Sequence, residues 1–321
     1  MYFCVLLSTI YLKMNFTIKS LNVSEKKGEL KIPVPEIEID MQGITTDAHR
    51  GDWHRQISFL AQEDIEAFTQ KFKQKFKYGD FAENVTTEGI NFRKVKILDV
   101  FENENVKLII TQKGKKCHGG NCSVFELIGN CVMPKEGIFT QVIRPGKLKV
   151  GDVLNYKPKV FKIAVITLSD RASRGEYEDL SGPAIEKSVE EFFVSIDRKC
   201  EIEKIIIPDN ATQLKDLIGS MIGKFDVIFT TGGTGVGDKD ITIETITPML
   251  TKNVPGIMEM IRIKYGQKNP NALLSRSLAG SIGRTLIFCL PGSPKAVKEY
   301  VTEITTVLEH MMYMVYSFDN H

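Results

Sequence analysis

At about residue 161 the hydrophobic rhythm of the sequence changes, and this change constrains the fold more than any other feature. Before it, short runs alternate apolar and polar residues, as in Phe16-Thr17-Ile18-Lys19-Ser20-Leu21-Asn22-Val23, Val95-Lys96-Ile97-Leu98-Asp99-Val100 and Val106-Lys107-Leu108-Ile109-Ile110. Period-two alternation is the mark of strands with one buried face. Only 58–77 has helical spacing, with Ile65, Phe68, Phe72 and Phe76 on one face. After it, apolar runs over 162–168, 203–207, 226–230 and 285–290 alternate with amphipathic stretches over 182–193, 211–222, 256–265 and 295–312. Strands alternating with helices predict a parallel sheet with crossover helices. Ser293-Pro294 supplies a cap and a first-turn proline for the last helix.

The expected architecture is therefore two domains. Residues 14–156 should form a β-rich barrel and 162–316 a doubly wound, mostly parallel α/β sheet, with 157–161 as the linker around Lys157-Pro158-Lys159. A length of 321 residues suits two cores. Residues 1–13 lack a basic leading region, a cleavage site and the length of a membrane span; with Met14 opening the first alternating run, they are expected to be an extension absent from the native protein.

Composition excludes several function classes. A net charge of +2 gives no field to hold nucleic acid or an anionic membrane, so neither is an expected partner. The six irregularly spaced cysteines do not form a secreted disulfide framework, which points to reduced thiols in the cytoplasm.

In a doubly wound sheet, ligands sit outside the carboxyl ends of the strands. The loops expected there are Ser169-Asp170-Arg171 through Gly175, Pro208-Asp209-Asn210, Thr231-Gly232-Gly233-Thr234-Gly235 and Pro291-Gly292-Ser293-Pro294. The glycine turn lets peptide N–H groups approach an anion, and phosphate is the obvious guest. It matches neither the P-loop nor the dinucleotide fingerprint. Asp240 follows five residues later, with Thr242 and Glu244 behind it, and Asp209 ends the neighbouring strand. Two acids beside a phosphate cradle suit a magnesium-bound nucleotide, although either aspartate alone could simply cap a helix.

The blocks Ser169-Asp170-Arg171 with 175–182, Pro208-Asp209, 230–240 with Thr242 and Glu244, Pro255-Gly256 with Glu259 and Arg262, and Leu274-Ser275-Arg276 with Leu290-Pro291-Gly292-Ser293-Pro294 together resemble the molybdopterin adenylyltransferases. The resemblance implies Mg²⁺-dependent adenylyl transfer from ATP to molybdopterin. Asp209 and Asp240 would be the catalytic and metal-binding pair. Thr231, Gly232, Gly233, Thr234, Gly235, Thr242 and Glu244 would hold the nucleotide and its phosphates. Ser169, Asp170, Arg171, Ser275, Arg276, Pro291, Gly292 and Ser293 would line the pterin side. Self-association, as a trimer, and a molybdenum-insertion enzyme downstream are further implications. Ile243 and Met258 stand where the family has proline and serine, which leaves local loop shape open. A non-catalytic molybdopterin carrier or storage protein is the competing expectation, and the presence of both aspartates argues against it.

In the first half, the loop 114–122 offers Cys117, His118 and Cys122 beside Lys115 and Lys116. Zinc would want four ligands, so a thiolate favoured by nearby cations is the better reading, with a turn carrying inert cysteines as the alternative. Three blocks, 43–57 with His49, His54, Arg55 and Gln56, 79–89 with Glu83 and Asn84, and 137–152, resemble MOSC domains; Ala82 stands where a second glycine is usual. That resemblance implies a barrel that binds molybdenum cofactor or carries sulfur on Cys117, with Cys122 the alternative.

Overall fold

A computed structural model describes residues 14–115 and 131–318. They fall into two compact units, the second spanning Val160–Ser317.

The first unit is the barrel that the alternation predicts. Its strands are β1 (Met14–Val23), β2 (Ile32–Val34), β3 (Glu36–Asp40), β4 (Gly43–Ile44), β5 (Ile57–Ala61), β6 (Val85–Glu88), β7 (Val100–Glu102), β8 (Lys107–Lys113), β9 (Ile138–Arg144), β10 (Gly146–Lys149) and β11 (Val153–Lys157). The order β11-β7-β8-β9-β5-β6-β1 closes on itself because β1 also pairs with β11, and β2 adds to β1. Closure leaves no open edge in that ring. Phe16, Ile18, Phe59, Val85, Phe101, Leu108 and Leu154 fill its centre.

Two local expectations fail here. Residues 58–61 are not helical: Ile57–Ala61 is a fully buried strand pairing β6 and β9, and the helix α1 runs only over Gln62–Phe72, ended by Lys73 at φ 53. The alternating run 95–100 is mostly a turn. Leu98 takes φ 75, and the buried Asp99 carboxylate accepts from Lys96 N (2.8 Å) and from the Tyr156 hydroxyl (2.7 Å). Ala82 sits at φ 61, a conformation that suits the glycine usual at that place.

The second unit carries the sheet β13-β12-β14-β17-β16-β15, built from β12 (Val160–Leu168), β13 (Lys199–Ile207), β14 (Val227–Thr231), β15 (Lys252–Asn253), β16 (Leu278–Ile282) and β17 (Thr285–Leu290). The first four positions are parallel and the last two antiparallel, so the sheet is mixed at one edge only. Around it lie α2 (Ser181–Ser195), α3 (Ala211–Met221), α4 (Pro255–Gly266) and α5 (Pro294–Met314). β14 and β17 are buried throughout, which is why they read as continuous apolar runs. Ser293 does cap α5, its hydroxyl accepting from Ala296 N at 3.2 Å, with Pro294 in the first turn. No helix among the described residues is long and apolar enough to cross a membrane.

Register fixes where the loops emerge. Leu168 pairs Ile207, Thr167 pairs Thr231, and Thr231 pairs Leu290. The four parallel strands therefore end on one line, and the loops 169–175, 208–210, 231–235 and 291–294 leave from a single edge. β12 has β13 on one side and β14 on the other, so this edge contains the switch point of the sheet.

Candidate active site

The glycine turn is fixed from below. Gly232 takes φ 102, and a Cβ there would lie 2.4 Å from the Leu168 carbonyl oxygen; at Gly233, φ 63, it would lie 2.5 Å from Thr242 Oγ1. Neither position accepts a side chain. Gly232 N donates to Leu290 O (3.1 Å), the Thr231 hydroxyl to Pro291 O (2.8 Å), and the Thr242 hydroxyl to Gly232 O (2.8 Å). Thr242 N donates to Gly233 O (3.0 Å). With these carbonyls engaged, the N–H groups of Gly233, Thr234 and Gly235 donate to no group among the described residues. Peptide N–H groups left without acceptors in a glycine turn suit an anion.

Asp209 is joined to the first loop by a reciprocal pair. Asp170 N donates to Asp209 Oδ2 (3.1 Å) and Asp209 N to Asp170 Oδ1 (3.2 Å). Asp170 also accepts from Lys239 Nζ at 3.2 Å, so one carboxylate ties the Asp209 loop to the residue before Asp240. Asp209's N–H, then Lys239, hold the Asp170 carboxyl below its ordinary value. Asp240 Oδ2 accepts from Gly237 N (2.8 Å), and a Cβ on Gly235 would lie 2.7 Å from that oxygen. Asp209 Oδ1 and Asp240 Oδ1 accept from no described residue and remain as hard oxygen donors. Among the described residues no three His, Cys, Asp or Glu side chains cluster to hold a metal.

The residues expected on the pterin side divide by what they touch. Ser169 caps a one-turn helix, its hydroxyl accepting from Ala172 N (3.2 Å), and the Arg171 guanidinium lies 5.3 Å from the Tyr177 ring centroid. Ser275 and Arg276 line a cavity of about 420 Å³ together with Asn253, Met258, Arg262 and Ser277. Arg262 is turned to the Ser277 carbonyl (3.2 Å). The Arg276 guanidinium points to the Asp240 loop and pairs with Glu244, which holds the Glu244 carboxyl below its ordinary value. Pro291, Gly292 and Ser293 form the turn into α5, where Gly292 packs against the glycine turn: a Cβ on it would stand 3.4 Å from Gly232 Cα.

Sequence reasoning missed Asp179 and Lys239. Asp179 Oδ1 accepts from Ser181 N (2.9 Å) and Gly182 N (3.0 Å), while Oδ2 accepts from the Thr167 hydroxyl (2.7 Å). Ser181 in turn donates its hydroxyl to Gly292 O (2.8 Å), so Asp179 ties the end of β12 to α2 and, through it, to the Pro291 turn. An acid two residues ahead of a helix start was a readable capping signal.

In the first unit, Lys31 and Asp47 form a buried ion pair, and Asp47 Oδ1 accepts from His49 N (2.9 Å) and lies 3.1 Å from His49 Nδ1. Burial opposes ionisation of Asp47, yet His49 and Lys31 hold its carboxyl well below the usual range. Glu83 is fully buried; Oε1 accepts from Gly79 N (2.7 Å) and Thr86 Oγ1 (2.9 Å), Oε2 has no partner among the described residues, and burial pushes the carboxyl up to about 7. Cys117 and Cys122, the expected sulfur or molybdenum site, lie outside the described residues.

Comparison with known proteins gives two family matches. Residues 164–310 match a model described as a probable molybdopterin binding domain, and residues 46–155 match the MOSC domain. The molybdopterin adenylyltransferase of Helicobacter pylori strain J99 is 34% identical over 155 residues, 48% of this chain and 86% of its own length. That of Pyrococcus furiosus is 37% identical over 161 residues, 48% of this chain and 91% of its own. The molybdenum cofactor biosynthesis bifunctional protein of Chlorobaculum tepidum is 31% identical over 163 residues, 50% of this chain and 49% of its own.

Proposed function

We propose that this chain, which belongs to the molybdopterin adenylyltransferase family and carries a MOSC domain ahead of the matching unit, transfers the adenylyl group of ATP to molybdopterin. An oxygen of the pterin's phosphate bonds to the α-phosphorus, the bond from that phosphorus to the β-phosphate side breaks, and pyrophosphate leaves. The observation that carries the proposal is the common edge: the strand register brings the bare N–H groups of the glycine turn and the loops of Asp209 and Asp240 to one side of the sheet.

The N–H groups of Gly233, Thr234 and Gly235 cradle the phosphates, with Thr231 and Thr242 holding the turn's shape. Asp209 and Asp240 fit Mg²⁺, because each keeps one carboxylate oxygen clear of donors among the described residues and Mg²⁺ combines one or two acids with substrate phosphates. Bound there, the ion supplies charge neutralisation on the phosphates. The cavity beside Ser275 and the Pro291–Ser293 turn accept the pterin, and the N-terminus of α5 suits its phosphate. Positioning and fixed dipoles, rather than covalent catalysis, supply the acceleration.

The MOSC unit binds molybdenum cofactor or carries sulfur on Cys117 or Cys122, downstream of the pterin chemistry; its partner in sequence is a molybdenum-insertion enzyme. The chain works in the cytoplasm as a homo-oligomer, a trimer by family resemblance. Tethering keeps the two units at high effective concentration. ATP–pyrophosphate isotope exchange by the full chain tests the proposal: exchange that requires molybdopterin is expected, whereas pterin binding without exchange would make the chain a carrier.

A further inference from the structure

Arg276 stands on the wall of the 420 Å³ cavity, but its charged end serves the loop that carries Asp240. Nε donates to Gly235 O at 2.6 Å and Nη2 to Asp240 O at 3.2 Å, while the two terminal nitrogens meet both oxygens of Glu244, Nη2 at 3.2 Å. The backbone N–H of Arg276 donates to Thr234 O at 3.0 Å. One residue therefore grips both ends of the segment 235–240. Within that segment Asp240 Oδ2 is held by Gly237 N and packs on the bare Gly235 Cα.

Exposure tells what this contact is worth. The side chains of Arg276 and Glu244 are 35% and 59% exposed, so their attraction alone contributes little to stability. Its value lies in geometry. A planar guanidinium satisfies two carbonyls and a carboxylate at fixed angles; a lysine ammonium has no such fork.

We propose that Arg276, oriented by Glu244, is a positioning residue for Asp240: it fixes the loop that presents the acid, and it does not hold the pterin with its charge. The inference rests on the adenylyl-transfer proposal for its kinetic consequence and on geometry alone for its structural one. Displacing a reacting group by about 1 Å costs up to about 10²-fold in rate, so Arg276→Lys lowers kcat by roughly 10- to 100-fold with KM for molybdopterin changed less than about threefold. Glu244→Gln, which removes only the orienting partner, lowers kcat in the same way but less. The double variant is no worse than Arg276→Lys alone, because both act through one contact.

The test combines steady-state kinetics with hydrogen exchange of the full chain. Faster exchange confined to peptides over 234–242 in both variants, with the kcat loss, is the expected result. Unchanged exchange in both variants, or a rise in KM for molybdopterin with Arg276→Lys that Glu244→Gln does not share, would overturn it in favour of a direct ligand. Faster loop exchange in both variants of a chain whose wild type shows no turnover would uphold the clamp and remove adenylyl transfer.

Discussion

Asp240→Asn lowers pterin-dependent turnover by roughly 10²- to 10³-fold while leaving ATP binding within a few-fold of wild type. The substitution keeps size and shape, and the amide carbonyl can still accept from Gly237 N, which Asp240 Oδ2 does at 2.8 Å. What it removes is charge at the point where negative charge is redistributed, and a preorganised electrostatic contribution of that kind is worth about 3–4 kcal/mol. On the proposed mechanism the ground-state triphosphate rests mainly on the peptide N–H groups of Gly233–Gly235, which the change leaves in place. Single-turnover formation of adenylated pterin separates the two effects. Unchanged turnover in this variant would take Asp240 out of the mechanism.

Gly232→Ala unfolds the second unit at a temperature lower by on the order of 10 °C and abolishes nucleotide binding at ordinary concentrations. Two penalties combine: φ 102 is outside the comfortable range of an L-residue, and the new Cβ would meet the Leu168 carbonyl at 2.4 Å. Leu168 cannot retreat easily, since β12 is paired with β13 through Ile207 and with β14 through Thr231. Backbone strain and overpacking each cost about 1–3 kcal/mol, and about 1 kcal/mol shifts the midpoint of a unit this size by roughly 2–4 °C. Gly175→Ala is the control. That glycine has φ 74 but nothing within 4 Å of a built Cβ, so it pays the strain alone and drops the melting temperature by only a few degrees. Equal shifts for the two variants, read by calorimetry of the full chain, would show that close approach to Leu168 is not what the glycine provides.

What was legible in the sequence is what depends on neighbours in the chain. The two units, the crossover rhythm, the four loops and the Ser293-Pro294 helix start follow from periodicity and turn chemistry within a few residues, and the structure has them. The glycine turn was legible for the same reason: only a need for positive φ or close approach places Gly232 and Gly233 together. What the sequence hid depends on tertiary contact. Nothing near Asp170 announces that it exchanges hydrogen bonds with Asp209 and receives Lys239, nor does anything near Arg276 announce that it reaches back to Gly235 and Asp240. The same limit explains the residues 95–100, whose alternation imitates a strand although Asp99 is engaged by Tyr156 in a buried turn. It also explains 58–61, where pairing with β6 and β9 overrides a helical pattern that holds only from Gln62 to Phe72.

On the proposed mechanism Asp209 and Asp240 share one metal–nucleotide complex above the glycine turn. Crystals grown with Mn²⁺ and a non-hydrolysable ATP analogue, with the metal located by its anomalous signal, test it most directly. The expected result is manganese bonded to a carboxylate oxygen of each aspartate and to the phosphates resting on Gly233–Gly235. Manganese held by the phosphates with both aspartates turned elsewhere, or a nucleotide bound away from the turn, would contradict it.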